Sequence, residues 1–352
     1  MLTLTPGPTT VHAEILKRLG KQVISHRSEK FRMIFKDVLE MLKEAFFTEQ
    51  YVAVLTGSGT LAVDAMLTNL VHPKDKVLLL EFGEFGSRMY RTLKAIGAEV
   101  TRLTKPLGEA FRPSDLEDKI NGFDVVCSVY TETSTGAKLI KLKKIAEIVK
   151  ENGALFCLDA VSAMFGEELK FDEWGIDAVA TCSHKNLGAP PGISFVALSE
   201  EALKKAKNAR VPLYLNLPRY IEFHEKRNET PFTPAINLIF AVREALSFLH
   251  DEGIENRIRR FSELRDYLYK EAIKMSLDPF PEKTFWSNNV AVIKIDDAES
   301  IRKELKRKGI IVAGGMGELK GKVIRVGIMG FVIKKDLDKL LKSLREILIE
   351  KI

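Results

Sequence analysis

The chain has 352 residues, 45% of them hydrophobic and 29% charged, and 54 basic against 48 acidic side chains leave a formal charge of +6. That balance excludes disordered, collagenous and coiled-coil chains, and the length suggests one large domain with a smaller one. The basic excess is not gathered into a Lys/Arg stripe interleaved with aromatics, so no nucleic-acid partner is expected. Lys141, Lys143 and Lys144, like Lys303, Lys306, Arg307 and Lys308, sit at helical spacing beside acids, as solvated helix faces do.

The opening MLTLTPGPTT has no basic region followed by an apolar one, and no apolar run approaches the roughly 20 residues that span a bilayer. A cytoplasmic location without membrane contact is the expectation, with residues 1–20 an N-terminal arm. Short apolar runs then alternate with amphipathic helical patterns, which predicts strands at 51–56, 76–82, 99–103, 124–130, 154–159, 177–182 and 194–198. Helices are predicted at 59–71 and 141–151 among them. This alternation is the mark of an α/β fold, a mostly parallel, doubly wound, seven-stranded sheet covered on both faces, placed in a large domain over 21–252.

Residues 212–234, with Pro212, Pro218, Pro231 and Pro234, read as one long irregular connection. Two long helices, 234–251 and 254–275, follow around Gly253. From Asn288 the pattern is strand, helix, strand (IIVAGG), strand (KVIRVGIMG) and a helix from Lys334 to Glu350, a small C-terminal α+β domain over 253–352. Cys127, Cys157 and Cys182 all lie in apolar runs without CxxC spacing, so they are expected to be reduced core thiols and neither a disulfide framework nor a metal site is expected.

Three segments carry chemistry. In LTGSGTLAVDA a strand ends at Thr56 and a helix opens near Gly59, so backbone amides with the Ser58 and Thr60 hydroxyls offer an anion site. The same letters, Gly57, Gly59 and Ala62 with Glu81 ending the next strand, also satisfy a dinucleotide fingerprint. In LFCLDAVSA, Asp159 ends an apolar strand, at the carboxyl edge where α/β sheets bind ligands, or else caps the next helix. In AVATCSHKNLGAPPG, Lys185 follows a strand beside Ser183 and His184 and precedes a stiff Gly/Pro turn, where partial desolvation would favour a neutral, nucleophilic amine. An anion site, a carboxylate for a pyridine nitrogen and a lysine for an aldehyde, in that order, together suggest pyridoxal phosphate.

The motifs TPGPTTV at the start, HRS at 26–28, TGSGT at 56–60, FGEFGSR at 82–88, TETSTG at 131–136, LDAVSA at 158–163, SHKNLGAPPG at 183–192 and GKVIRVGIMG at 321–330 occur in order along nearly the whole chain. In them the sequence resembles the class V aminotransferases, specifically the alanine–glyoxylate and serine–pyruvate aminotransferases of pyridoxal phosphate fold type I. The resemblance implies that Lys185 carries the cofactor and that Asp159 holds its pyridine nitrogen. It puts the phosphate on Ser58, Gly59 and Thr60, the stacking aromatic on Phe85, and Thr133 near the phenolic oxygen. It also puts Val161 and His184 against the cofactor and makes Arg325 the grip on the substrate carboxylate. It further implies a homodimer in which Thr233 reaches the partner's phosphate; Thr230 stands where many relatives carry tyrosine.

The reaction so implied moves an amino group between a small amino acid (alanine, serine or aspartate) and a 2-oxo acid (glyoxylate, pyruvate or 2-oxoglutarate) by a ping-pong route. The alternatives are phosphoserine or aminoethylphosphonate aminotransferase, a cysteine-acting lyase or desulfurase, and a nicotinamide oxidoreductase built on the dinucleotide reading. Only two glutamines, Gln22 and Gln50, beside abundant Lys and Glu, suggest a thermophilic source.

Overall fold

A computed structural model describes residues 1–350, so the last two positions of the small domain expected over 253–352 lie outside the described residues. Its centre is a seven-stranded sheet whose spatial order is Tyr51–Thr56, Ile193–Leu198, Ala178–Cys182, Leu155–Asp159, Val125–Val129, Lys76–Glu81 and Glu99–Thr104. All pairings are parallel except those of Ile193–Leu198, which runs antiparallel to both neighbours. The expected seven strands are therefore the seven of the sheet.

Alternation along each strand sorts side chains to the two faces. Leu78 and Leu80 join the core beneath the Glu29–Phe46, Leu142–Glu151 and Ile236–Glu252 helices, while Val77 and Leu79 join the core beneath Gly59–Leu70. Central strands are buried from end to end, whereas the edge strand Glu99–Thr104 turns Glu99, Thr101, Arg102 and Thr104 to solvent. Charged side chains there discourage pairing with another chain.

The C-terminal part folds around a third core, an antiparallel sheet ordered Val290–Lys294, Val323–Gly327 and Ala313–Gly314, covered by Ile254–Ile273, Ala298–Arg307 and Lys334–Glu350. The single strand expected from IIVAGG is instead two short ones. Ile310–Ile311 pairs with Leu2–Thr3 of the N-terminal arm and Ala313–Gly314 pairs with the strand bearing Arg325. The second strand ends before Gly315, where a Cβ would lie on the backbone of Leu319.

The connection expected to be irregular over 212–234 contains a helix, Leu217–Arg227. Its proline lies in the first turn, where a missing N–H costs nothing, and the Asn216 side chain accepts from the Arg219 amide at 2.9 Å. Tyr220, Ile221 and His224 form its buried face. Among the described residues no helix is long and apolar enough to cross a membrane.

Candidate active site

The parallel strands bring their carboxyl ends to one edge of the sheet, and the loops there collect Gly57–Thr60, Gly83–Gly86, Glu132–Ser134, Asp159–Ser162 and His184–Asn186. At the first of these, Ser58 is the N-cap of Gly59–Leu70, yet its side chain makes no capping bond and its hydroxyl stays free. The first-turn amides of such a helix lack intrahelical acceptors and carry partial positive charge. A Cβ at Gly59 would lie 2.9 Å from the Val161 methyls and 3.3 Å from Cys182 Sγ, so this cradle admits only glycine.

Asp159 is buried at the end of its strand, and its Oδ1 accepts from the Val161 amide at 2.9 Å. Burial raises its carboxyl to about 6, against the opposing pull of that hydrogen bond. Two residues past the next strand, His184 places Nε2 3.6 Å from Cys182 Sγ and leaves Nδ1 buried without a partner. Burial, assisted by Lys185, presses the imidazole down to about 4, so it is neutral at pH 7. Burial likewise pushes the Cys182 thiol up to about 12.

Burial lowers the Lys185 ammonium below its ordinary value, and Arg325 and Arg88 add to the shift while Cys182 and Asp159 oppose it. Its Nζ donates to the Pro6 carbonyl, and Gly7 is so close that a Cβ there would overlap the lysine side chain. The next residue, Asn186, is fully buried and spreads its Nδ2 over the carbonyls of Ser162, Ala163 and Met164 at 3.1, 3.2 and 2.9 Å. The lysine loop is thereby tied to the turn that follows Asp159.

Arg325 lies within its strand, where its Nε donates to Gly314 O at 2.6 Å and Nη1 to Thr133 O at 3.1 Å. No protein acceptor meets Nη2 among the described residues. Desolvation lowers this guanidinium to about 10, opposed by Glu132, and it remains a cation at neutral pH. The Thr133 and Ser162 hydroxyls stand 2.6 Å apart. Phe85 opens the Glu84–Ile96 helix, with the Arg88 guanidinium 4.6 Å from its ring centroid.

The structure thus gathers Ser58, Gly59, Thr60, Phe85, Thr133, Asp159, Val161, His184, Lys185 and Arg325 at one edge of the sheet. Thr233 is exposed and joins none of these contacts within the subunit. Thr230 is buried, and its hydroxyl donates to Phe232 O at 2.7 Å, so it is committed to its own turn. Glu81, the acid of the dinucleotide reading, is held by both Nε and Nη2 of Arg102 at 2.6 Å, so both its oxygens are engaged in an ion pair.

The family described as Aminotransferase class-V matches residues 9–340. The chain belongs to the class V aminotransferases. It is 36% identical to an uncharacterised aminotransferase of Methanocaldococcus jannaschii over 95% of this chain and 89% of that one. Among solved structures, an aspartate aminotransferase of subgroup IV from Thermus thermophilus is 34% identical, with a TM-score of 0.92 over 99% of each chain. An alanine–glyoxylate aminotransferase from Nostoc sp. is 30% identical, with a TM-score of 0.92 over 99% of this chain and 95% of that one.

Three features near the site of this aminotransferase do not stand out in its sequence. Pro6 and Gly7 come from the far end of the chain, Asn186 looks like any loop amide, and Glu132 reads as one more acid. The available signals were the glycine in TPGPTT and an acid set among small residues in TETSTG.

Proposed function

We propose that this class V aminotransferase uses pyridoxal 5'-phosphate to move an amino group between a small amino acid and a 2-oxo acid by ping-pong turnover. The observation that carries the reading is the meeting, at one sheet edge, of a half-buried amine at Lys185 whose basicity desolvation lowers, a buried carboxylate at Asp159 and a glycine-bounded helix start. The residues fit the cofactor by their own chemistry. The Ser58 hydroxyl is not spent on its helix cap, Gly59 lets the helix start pack directly against Val161 and Cys182, and His184 Nδ1 is a buried polar atom without a partner among the described residues.

When bound, the cofactor supplies an electron sink conjugated to the substrate α-carbon. Ser58, Gly59 and Thr60 would hold its phosphate through hydroxyls and helix-start amides, with His184 beside them. Asp159 would keep a proton on the pyridine nitrogen, and its buried position makes the ionised form responsive to that positive partner. Phe85 and Val161 would close the two ring faces and exclude water. Lys185 Nζ would carry the cofactor at rest and, once displaced, take the α-proton and return it. Its lowered basicity keeps a neutral fraction able to do so. Arg325 would grip the α-carboxylate, with Nη2 free and the other two nitrogens holding the fork in place.

Alanine, serine or aspartate as donor, and glyoxylate, pyruvate or 2-oxoglutarate as acceptor, are the substrates proposed; the names of the solved relatives print alanine, glyoxylate and aspartate among these. Two chains would share the site, Thr233 of each reaching the other's phosphate. All three cysteines are buried, and burial makes the Cys182 thiol poorly acidic, which does not favour a cysteine-acting lyase. A donor-by-acceptor panel with half-reaction spectra tests the reading. Each competent donor should convert the visible cofactor band, and Lys185→Ala should abolish both the band's lysine-bound form and turnover. Full turnover by Lys185→Ala would refute it.

A further inference from the structure

Glu132 is fully buried, and the chemistry above gives it no part. Its Oε2 accepts from the amides of Phe85 at 3.0 Å and Gly86 at 3.2 Å, while its Oε1 accepts from Ser134 N at 3.0 Å and Ser134 Oγ at 2.6 Å. Ser134 Oγ in turn accepts from the Glu84 amide at 3.2 Å. The first three amides of the Glu84–Ile96 helix are thus satisfied by a loop some fifty residues away, because the N-cap, Gly83, has no side chain to offer. Gly83 cannot have one, since a Cβ there would overlap Glu132 and Ser134. A carboxylate also opposes the positive end of the helix dipole.

The residue next to Glu132 serves the other side of the site. The Thr133 carbonyl accepts from Arg325 Nη1, and its hydroxyl shares a hydrogen bond with that of Ser162, three residues beyond Asp159. Burial pushes the Glu132 carboxyl up, and its charge acts on both Asp159 and Arg325.

We propose that Glu132 is a positioning residue, whose carboxylate locks the helix start bearing Phe85 to the loop bearing Thr133, so that the aromatic face and the Arg325 guanidinium keep a fixed spacing. This rests on the cofactor reading above.

The test uses the full chain stripped of cofactor and titrated with pyridoxal 5'-phosphate, reading affinity, visible circular dichroism of the bound form and thermal midpoint. Glu132→Gln keeps the size but loses one acceptor and the charge. Ser134→Ala is the milder variant, removing one bond to the same carboxylate. Asp177→Asn is the control, a half-buried carboxylate at the opposite end of the sheet that accepts from Phe156 N and Ser199 Oγ. Glu132→Gln should weaken pyridoxal phosphate binding at least tenfold and reduce its ellipticity, and Ser134→Ala should do both to a smaller degree. Asp177→Asn should lower only the midpoint. Unchanged affinity and ellipticity in Ser134→Ala and Glu132→Gln, or losses no larger than in the control, would overturn the proposal. A wild-type chain that binds no pyridoxal phosphate would instead overturn the cofactor reading.

Discussion

At the scale of single residues, the site is built from charges taken out of water and held by few partners. Asp159 shows the consequence. Its carboxyl is raised to about 6 from an ordinary 3.8, so the proton it binds in the folded chain stabilises the apo protein at low pH, and this is lost as pH rises through about 6. Asp159→Asn, which keeps the acceptor for Val161 N, should therefore raise the melting point of the apo protein at pH 7.5. The gain, up to about 3 kcal/mol, should shrink on acidification toward pH 4. Calorimetry across that range checks it, and a variant less stable than wild type at pH 7.5 would contradict the account. Arg325 gives a kinetic counterpart. Arg325→Ala should raise KM for donor and acceptor alike by about 10–100-fold, through loss of a charge-assisted carboxylate bond. Titration should show pyridoxal phosphate affinity unchanged within about twofold.

At the scale of elements, the same polar groups that close the fold also fix what the site can do. His224, on the Leu217–Arg227 helix, accepts from Val54 N at 3.0 Å through Nε2 and sits 2.9 Å from Glu229 O through Nδ1. Burial presses its imidazole down to about 4. Its contribution is present above the ordinary value of 6.5 and is lost as pH falls through about 4, opposite in sign to that of Asp159. His224→Ala orphans the Val54 amide, which should cost about 1–3 kcal/mol in denaturant unfolding and flatten the acid limb between pH 6.5 and 4. Glu229, next in this chain of contacts, is gripped by Arg27 and by Arg32 at 2.9 Å, and Arg27 also donates to Thr230 O at 2.8 Å. The segment preceding Thr233 is thereby anchored to the start of the Glu29–Phe46 helix. The prolines in and around the Leu217–Arg227 helix obscured it in the sequence, because a proline reads as a breaker unless the cap before it is recognised.

At the scale of the whole molecule, the N-terminal arm stitches the parts together. Leu2–Thr3 extends Ile310–Ile311, Leu4 O accepts from Gly327 N at 2.8 Å, and Pro6 and Gly7 then lie on Lys185. One short arm, residues 2–7, thus touches both the lysine loop and the strand carrying Arg325. Thr233, exposed on the single chain, makes its proposed role a property of the assembly. Light scattering should give twice the chain mass, and Thr233→Ala should weaken pyridoxal phosphate binding about tenfold without dissociating the pair. A monomer with wild-type affinity for pyridoxal phosphate would count against the shared site.

The seven strands were legible because burial on both faces demands unbroken apolar runs, and that demand is local. Lys185, Asp159 and the Gly59 turn were legible for a similar reason: each stands where a strand ends, and strand ends of a parallel sheet converge. Glu132, Asn186 and Pro6 were not legible, since a backbone amide orphaned at residue 85 leaves no mark on the distant residue that satisfies it. The sequence by itself determined the sheet, the order of the chemical groups along it and the family. Only the tertiary structure decided which distant partners hold those groups, because hydrogen bonds between loops depend on where strands place them and have no period to read.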